Sequence, residues 1–171
     1  MIRMLTGKPD RLQAFDYLGL HRYFLTFCTF ERQPLFTTRE AVDEILMQIQ
    51  RGAREERFAL IAYRFMPDHV HLLIEARADD SDARRFIKAA KQYSGFYFKK
   101  RFGRQLSQRY GFERTLRNDE ATLSVVRYII ENPVRAKLVQ NAEDYPFAGS
   151  SVYGLAEILE VVAFEPNRRS G

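Results

Sequence analysis

The sequence predicts an α+β fold, a ferredoxin-like antiparallel sheet covered by helices on one face. Strand-like and helix-like segments follow one another in the order strand, helix, hairpin, helix, strand. The two central strand runs meet at the tight-turn sequence MPDH, and no repeat or low-complexity linker divides the chain. With 171 residues and 46% hydrophobic content, the chain is long enough for one real core and too short to expect two. Residues 1–155 are therefore assigned to a single domain and residues 156–171 to a C-terminal tail.

The elements follow in order. RYFLTFCTFE, from Arg22 to Glu31, is rich in aromatic and β-branched residues and reads as a first strand ended by Pro34. In TTREAVDEILMQIQRGA, Thr37 and Glu40 stand at capping-box spacing, and Val42, Ile45, Leu46 and Ile49 recur at helical period. RFALIAYRFM and HVHLLIEA form a hairpin turning at Pro67 and Asp68. The longest helix follows, with N-cap candidates Asp80 and Ser81 and a stop near Gly103. YGFERTLR is a short strand. NDEATLSVVRYIIENP is a helix capped by Asn118 or Asp119 and closed before Pro133, and DYPFAGSSVYG is rich in turn residues.

Composition narrows the setting. Cys28 stands alone and no CxxC is present, so neither an internal disulfide nor a thiolate zinc site is expected; a reduced, cytoplasmic setting fits. No run approaches the roughly 20 apolar residues that span a bilayer, and no secretory signal opens the chain, so no membrane partner is expected. A net charge of +5 makes an anionic partner plausible, and where the charge sits matters more than its sum.

The hairpin carries the first chemistry. Strand side chains alternate, so His69 and His71 project from one side while Val70, Leu72 and Ile74 point to the other. Two imidazoles about 7 Å apart at the backbone can converge on one metal ion or on one phosphate. Two exposed or ordinarily hydrogen-bonded histidines beside a turn would read the same way. Asp68 either orients a histidine or simply forms the turn. His21 is isolated before the first strand and is read as surface or core.

Charge segregation comes next. Between Arg84 and Arg109 the chain carries Arg84, Arg85, Lys88, Lys91, Lys99, Lys100, Arg101, Arg104 and Arg109 and no acid, although acids total 22 overall. Phe86, Tyr93, Phe96, Tyr97, Phe98 and Phe102 interleave with them, the mixture that holds phosphates and stacks unpaired bases. Arg84, Arg85, Lys88, Lys91, Lys99, Lys100, Arg101 and Arg104 are the candidate nucleic-acid contacts. At 100° per residue, Phe86, Ala90, Tyr93 and Tyr97 share a stripe with Tyr93 at its edge. Tyr93 is thus either a core residue or a phenol reaching out from a packed helix toward the histidine strand. A phenol, with a pKa of about 10, needs a metal-polarised phosphate or a neighbouring cation to act as a nucleophile.

FMPDHVHLLIEA, KQYSGFYFKKRFG, LRNDEATLSVVRYIIENPVRAKLV and DYPFAGSS, in that order, resemble the single-tyrosine HUH transposases, specifically the REP-associated tyrosine transposases, from about Tyr23 to Tyr153. The resemblance implies His69 and His71 as ligands of Mg2+ or Mn2+ and Tyr93 as nucleophile. It implies cleavage of single-stranded DNA near a hairpin through a 5′-phosphotyrosine, a free 3′-hydroxyl that reverses the step, and a cytoplasmic protein associated with the nucleoid when DNA is bound. One departure stands out. The family site usually adds a Gln or Asn ligand one helical turn beyond the tyrosine, where this chain has Tyr97 and Phe98, and Tyr97 is an alternative nucleophile.

Other sites are disfavoured. A histidine-triad hydrolase needs a third histidine where Leu73 stands, and no Gly-rich phosphate loop, Ser/His/Asp set or EF-hand appears. Asn132 and Pro133 are read as a helix end, with Arg135 a possible phosphate contact. Two functional classes remain, a DNA nuclease and strand transferase, or a domesticated binding module of the same fold that binds nucleic acid without turnover. Either is a monomer or a homodimer.

Overall fold

A computed structural model describes residues 20–107, 112–116 and 119–163. In chain order the elements are β1 (Arg22–Cys28), α1 (Arg39–Glu55), β2 (Phe58–Met66), β3 (His69–Ala76), α2 (Ala83–Phe102), β4 (Phe112–Leu116), α3 (Asp119–Arg135), β5 (Ala148–Gly149) and α4 (Leu155–Ala163). The strands form one antiparallel sheet in the order β4-β1-β3-β2-β5. Each helical crossover, β1-α1-β2 and β3-α2-β4, skips one strand, which is the expected ferredoxin-like arrangement with the two-residue β5 added at an edge.

The histidine strand sits at the centre. Cys28 and Met66 flank His69 on the two neighbouring strands, and Thr26 and Arg64 flank His71. Both outer partners therefore bring polar groups to the histidine face of the sheet.

The expectation of helices on one face is corrected to helices on both. The three central strands are buried almost throughout, so neither surface can face water. On one face, Leu25, Phe27, Phe65, Val70 and Leu72 pack against Val42, Ile45 and Ile49 of α1 and Phe86, Ala90 and Phe98 of α2. On the other, Phe24, Ala62 and Leu73 pack against Val125, Ile129 and Ile130 of α3 and Ile158 and Val162 of α4. The assigned tail thus begins with a helix that belongs to the second core layer; residues 164–171 lie outside the described residues.

Local signals acted one or two residues from where they were read. The α1 cap is Thr38, whose hydroxyl accepts from the Ala41 amide, and the α2 cap is Asp82, whose carboxylate accepts from the Arg84 and Arg85 amides. Gly103 ends α2 in the left-handed conformation, φ 68°, that glycine adopts without strain. The C-terminal turn-rich segment acts as a splice onto β2. Ser150 Oγ donates to the Leu60 carbonyl and Ser151 Oγ accepts from the Leu60 amide, beside an irregularity in the β2–β3 register between Leu60 and Ala62.

Candidate active site

His69 and His71 stand on the α3 face, only 8% and 3% exposed. Each ring is fixed through Nδ1, His69 by Asp68 Oδ1 at 2.7 Å and His71 by Thr26 Oγ1 at 2.7 Å. Asp68 is held in turn by Arg32, whose Nε donates to Oδ2 at 2.8 Å. With both Nδ1 positions engaged, the two Nε2 atoms turn toward each other at 3.1 Å. Desolvation lowers the pKa of both imidazoles; for His71, well below the ordinary value, the neighbouring His69 adds to the effect. Neutral rings that carry their protons on Nδ1 present both Nε2 lone pairs to one point, the donor set that a cation requires.

The third polar group comes from α3. Asn132 lies one helical turn beyond Tyr128, so both project from one side of the helix. The Asn132 side-chain amide is 3.1 Å from His71 Nε2, and the Tyr128 ring lies 5.5 Å, centroid to centroid, from the His71 ring. Helix α3 runs through Pro133 to Arg135 instead of closing before it, which leaves Asn132 inside the helix and aimed at the histidines. Arg135 places its guanidinium 4.7 Å from the Tyr128 ring centroid. Arg32, Met66, Asp68, His69, His71, Tyr128, Asn132 and Arg135 line one open cleft of about 630 Å3.

The geometry fits a small octahedral ion. Ligands at right angles, each about 2.1 Å from such an ion, are separated by about 3.0 Å, close to the observed His69–His71 contact. A half-turn of the Asn132 amide presents its oxygen to the same point. Among the described residues no cluster of three His, Cys, Asp or Glu side chains competes for a metal.

The tyrosine assigned from the sequence is not in this cleft. Tyr93 is on α2, across the sheet, and its hydroxyl donates to Glu55 Oε2 of α1 at 2.7 Å while Arg51 stacks 4.0 Å from its ring centroid. That carboxylate is the main reason the phenol is pushed up from its ordinary pKa, the opposite of what a nucleophile needs. Tyr97 is also on α2, edge-on to Phe96 at 5.2 Å, and is no closer in topology to the histidines. The physical reason is strand alternation. The residues that α2 covers are Val70 and Leu72, on the side of β3 opposite the imidazoles.

The cationic candidates share that reverse face. Arg101 is paired with Glu40 and Glu44, Arg85 with Glu56, and Arg104 donates to Gln33, so these three guanidinium groups are tied to the protein. Lys91 lies over the Phe27 ring at 5.4 Å. Arg84, Lys88, Lys99 and Lys100 are exposed along α2, with Phe96 62% exposed among them. His21 is half-buried against Tyr23, consistent with a structural role.

A paired-histidine strand and a tyrosine and amide one turn apart on an apposed helix thus meet in one cleft of a ferredoxin-like sheet. The profile of the IS200-like transposases matches residues 18–132, ending at Asn132, and the chain belongs to that family. A Haemophilus influenzae protein described as a REP-associated tyrosine transposase is 24% identical over 138 residues, covering 74% of this chain and 77% of the relative. A REP-associated tyrosine transposase solved bound to a REP hairpin superposes with a TM-score of 0.67 at 24% identity, covering 81% of both chains. A protein of Deinococcus radiodurans R1 assigned as a transposase gives a TM-score of 0.50 at 24% identity, covering 72% of this chain and 96% of that one. No helix among the described residues is long and apolar enough to cross a membrane.

Proposed function

We propose that this transposase is a site-specific single-strand endonuclease and strand transferase acting on hairpin-bearing DNA, with Tyr128 as its nucleophile. The observation that carries the reading is the convergence of the His69 and His71 Nε2 atoms and the Asn132 amide beside the Tyr128 ring. His69, His71 and Asn132 would hold Mg2+ or Mn2+, which when bound polarises the scissile phosphate and neutralises its charge.

The chain's own groups account for the rest. Asp68 and Thr26 hold the ring orientations in which Nε2 faces the cleft, and accepting a hydrogen bond from Nδ1 would leave each Nε2 free for the ion. Helix α3 carries the Tyr128 phenol on the same wall as the amide, so binding a phosphodiester there sets the phenol oxygen beside phosphorus. Attack by that oxygen forms a tyrosine–phosphorus bond and breaks the bond from phosphorus to the 3′-oxygen. The phenol gives up its proton to solvent and the departing 3′-oxygen takes one up. The free 3′-hydroxyl can then attack the phosphotyrosine and restore a phosphodiester, so cleavage and rejoining use the same groups. Arg32 and Arg135 line the cleft, paired with Asp68 and Glu131, and would meet flanking phosphates by sharing their guanidinium groups with those carboxylates.

The fold relatives and the surface support this choice of substrate. A hairpin bound by a relative of the same fold supports a hairpin here. The exposed Arg84, Lys88, Lys99 and Lys100, with Phe96, offer phosphate and stacking contacts on the reverse face of the sheet, away from the chemistry.

The test is covalent trapping. Labelled single-stranded hairpin DNA incubated with the protein and Mn2+ should give an adduct that survives denaturation in the unaltered protein and in Tyr93→Phe, and none in Tyr128→Phe. Salt-sensitive DNA binding with no adduct under any metal would instead favour the domesticated binding module.

A further inference from the structure

Arg64 is a charged residue in the middle of β2 and only 1% exposed. Its position is set by register, since it lies directly across from His71 and faces the same side of the sheet. All of its hydrogen-bond acceptors are backbone carbonyls. Nη1 donates to Tyr145 at 2.6 Å and Pro146 at 3.1 Å, and Nη2 donates to Ile130 and Ala142, each at 2.9 Å. Burial lowers its pKa to about 10, which still leaves the group charged at neutral pH.

Ile130 is midway between Tyr128 and Asn132. Pro133 has no N–H to return to the Ile129 carbonyl, so the helix ladder lacks a bond at this level. The guanidinium grips the next carbonyl and ties it to β2 and to the segment between Ala142 and Pro146. One planar fork therefore joins three parts of the chain at the point where α3 presents its two polar side chains to the histidine strand.

We propose that Arg64 is a positioning residue for DNA cleavage, a buried guanidinium that fixes the distance between α3, with Tyr128 and Asn132, and the strand pair that carries His69 and His71. The proposal rests on the reading of Tyr128 and Asn132 given above. Arg64 touches neither DNA nor metal; it acts through the helix. Ordinary core packing would tolerate any change that keeps the fold, whereas a positioning role makes chemistry and metal affinity fall while DNA binding stays.

The experiment uses the full chain with Arg64→Lys and Arg64→Gln. Four quantities are compared with the unaltered protein: the thermal melt, hairpin-DNA affinity in chelator, Mn2+ affinity without DNA by electron paramagnetic resonance, and the adduct rate at saturating DNA and Mn2+. Expected are folded proteins, DNA affinity within about two-fold, Mn2+ affinity lowered about ten-fold and an adduct rate lowered about 100-fold, the loss that a displacement of roughly 1 Å brings. Arg64→Lys should recover part of the rate, because it keeps the charge and one donor. Unchanged adduct rate and Mn2+ affinity in folded variants would overturn the proposal, as would a parallel fall in DNA affinity. Failure of both variants to fold would overturn it too, since Arg64 would then serve the whole domain. If the unaltered protein forms no adduct, the nuclease reading fails separately, and the Mn2+ measurement then judges Arg64 alone.

Discussion

His71 and Asn132 meet 3.1 Å apart, ring nitrogen to side-chain amide, across the seam between β3 and α3. The contact joins an imidazole fixed by its strand to an amide fixed by its helix, and the Tyr128 phenol lies one turn back on that helix. In the proposed mechanism, metal affinity and nucleophile placement would both depend on this one packing relationship.

Replacing the amide should weaken the metal and spare the fold. In Asn132→Ala, the Mn2+ concentration for half-maximal adduct formation should rise at least ten-fold, with a thermal melt within a few degrees of the unaltered protein. An unchanged Mn2+ requirement would remove Asn132 from the ligand set.

Asp68 acts one step out. In Asp68→Ala the His69 ring loses its Nδ1 partner, and Arg32 loses its carboxylate. Mn2+ affinity should fall about ten-fold, whereas Asp68→Asn, which keeps an oxygen acceptor, should fall less. Equal affinities in all three proteins would show that the turn residue only shapes the turn.

The reverse face should govern DNA affinity without governing chemistry. In Lys99→Gln/Lys100→Gln, hairpin binding should weaken and its salt slope should shrink by about 0.7 to 0.9 for each phosphate that is no longer neutralised. The adduct rate at saturating DNA should stay as it was. A fall in that rate would mean that α2 reaches the reacting strand.

Proton linkage gives a prediction for the protein in chelator. Burial holds both imidazoles below their usual pKa, so the folded chain resists protons that the unfolded chain accepts from about pH 6.5 downward. Stability contributed by the neutral rings is thus complete above that pH and is lost as pH falls from there through the folded pKa values. The melting temperature should decline between about pH 6.5 and pH 5, with a shallower decline in His71→Gln. Identical slopes in the two proteins would place the acid sensitivity elsewhere.

Much of this architecture was legible in the residues. Aromatic and β-branched runs marked the strands, Pro67 and Asp68 marked the hairpin, and the HxH spacing put both imidazoles on one face. What the pattern did not reveal was which helix covers which face. A strand buried on both sides reads as a continuous apolar run, so its two faces cannot be told apart by hydropathy. The cationic helix drew attention to Tyr93, yet it packs behind the sheet, with Ser94 and not Tyr93 among its buried residues. The better signal was YIIEN, with a tyrosine and an amide four residues apart on a helix, which brings an amide to the histidine pair where the stretch beyond Tyr93 has none. Reading Pro133 as a helix stop obscured it. Arg64 carried no sequence signal, because only the fold brings four carbonyls around one guanidinium.

The central claim is that Tyr128 becomes joined to DNA, and mapping the trapped adduct tests it most directly. Trypsin releases Tyr128 in the peptide YIIENPVR and Tyr93 in the separate peptide QYSGFYFK. After nuclease trimming, mass spectrometry should find the residual nucleotide on YIIENPVR, with fragment ions that place it on the tyrosine. Recovery of the nucleotide on QYSGFYFK, or on any peptide lacking Tyr128, would contradict the account.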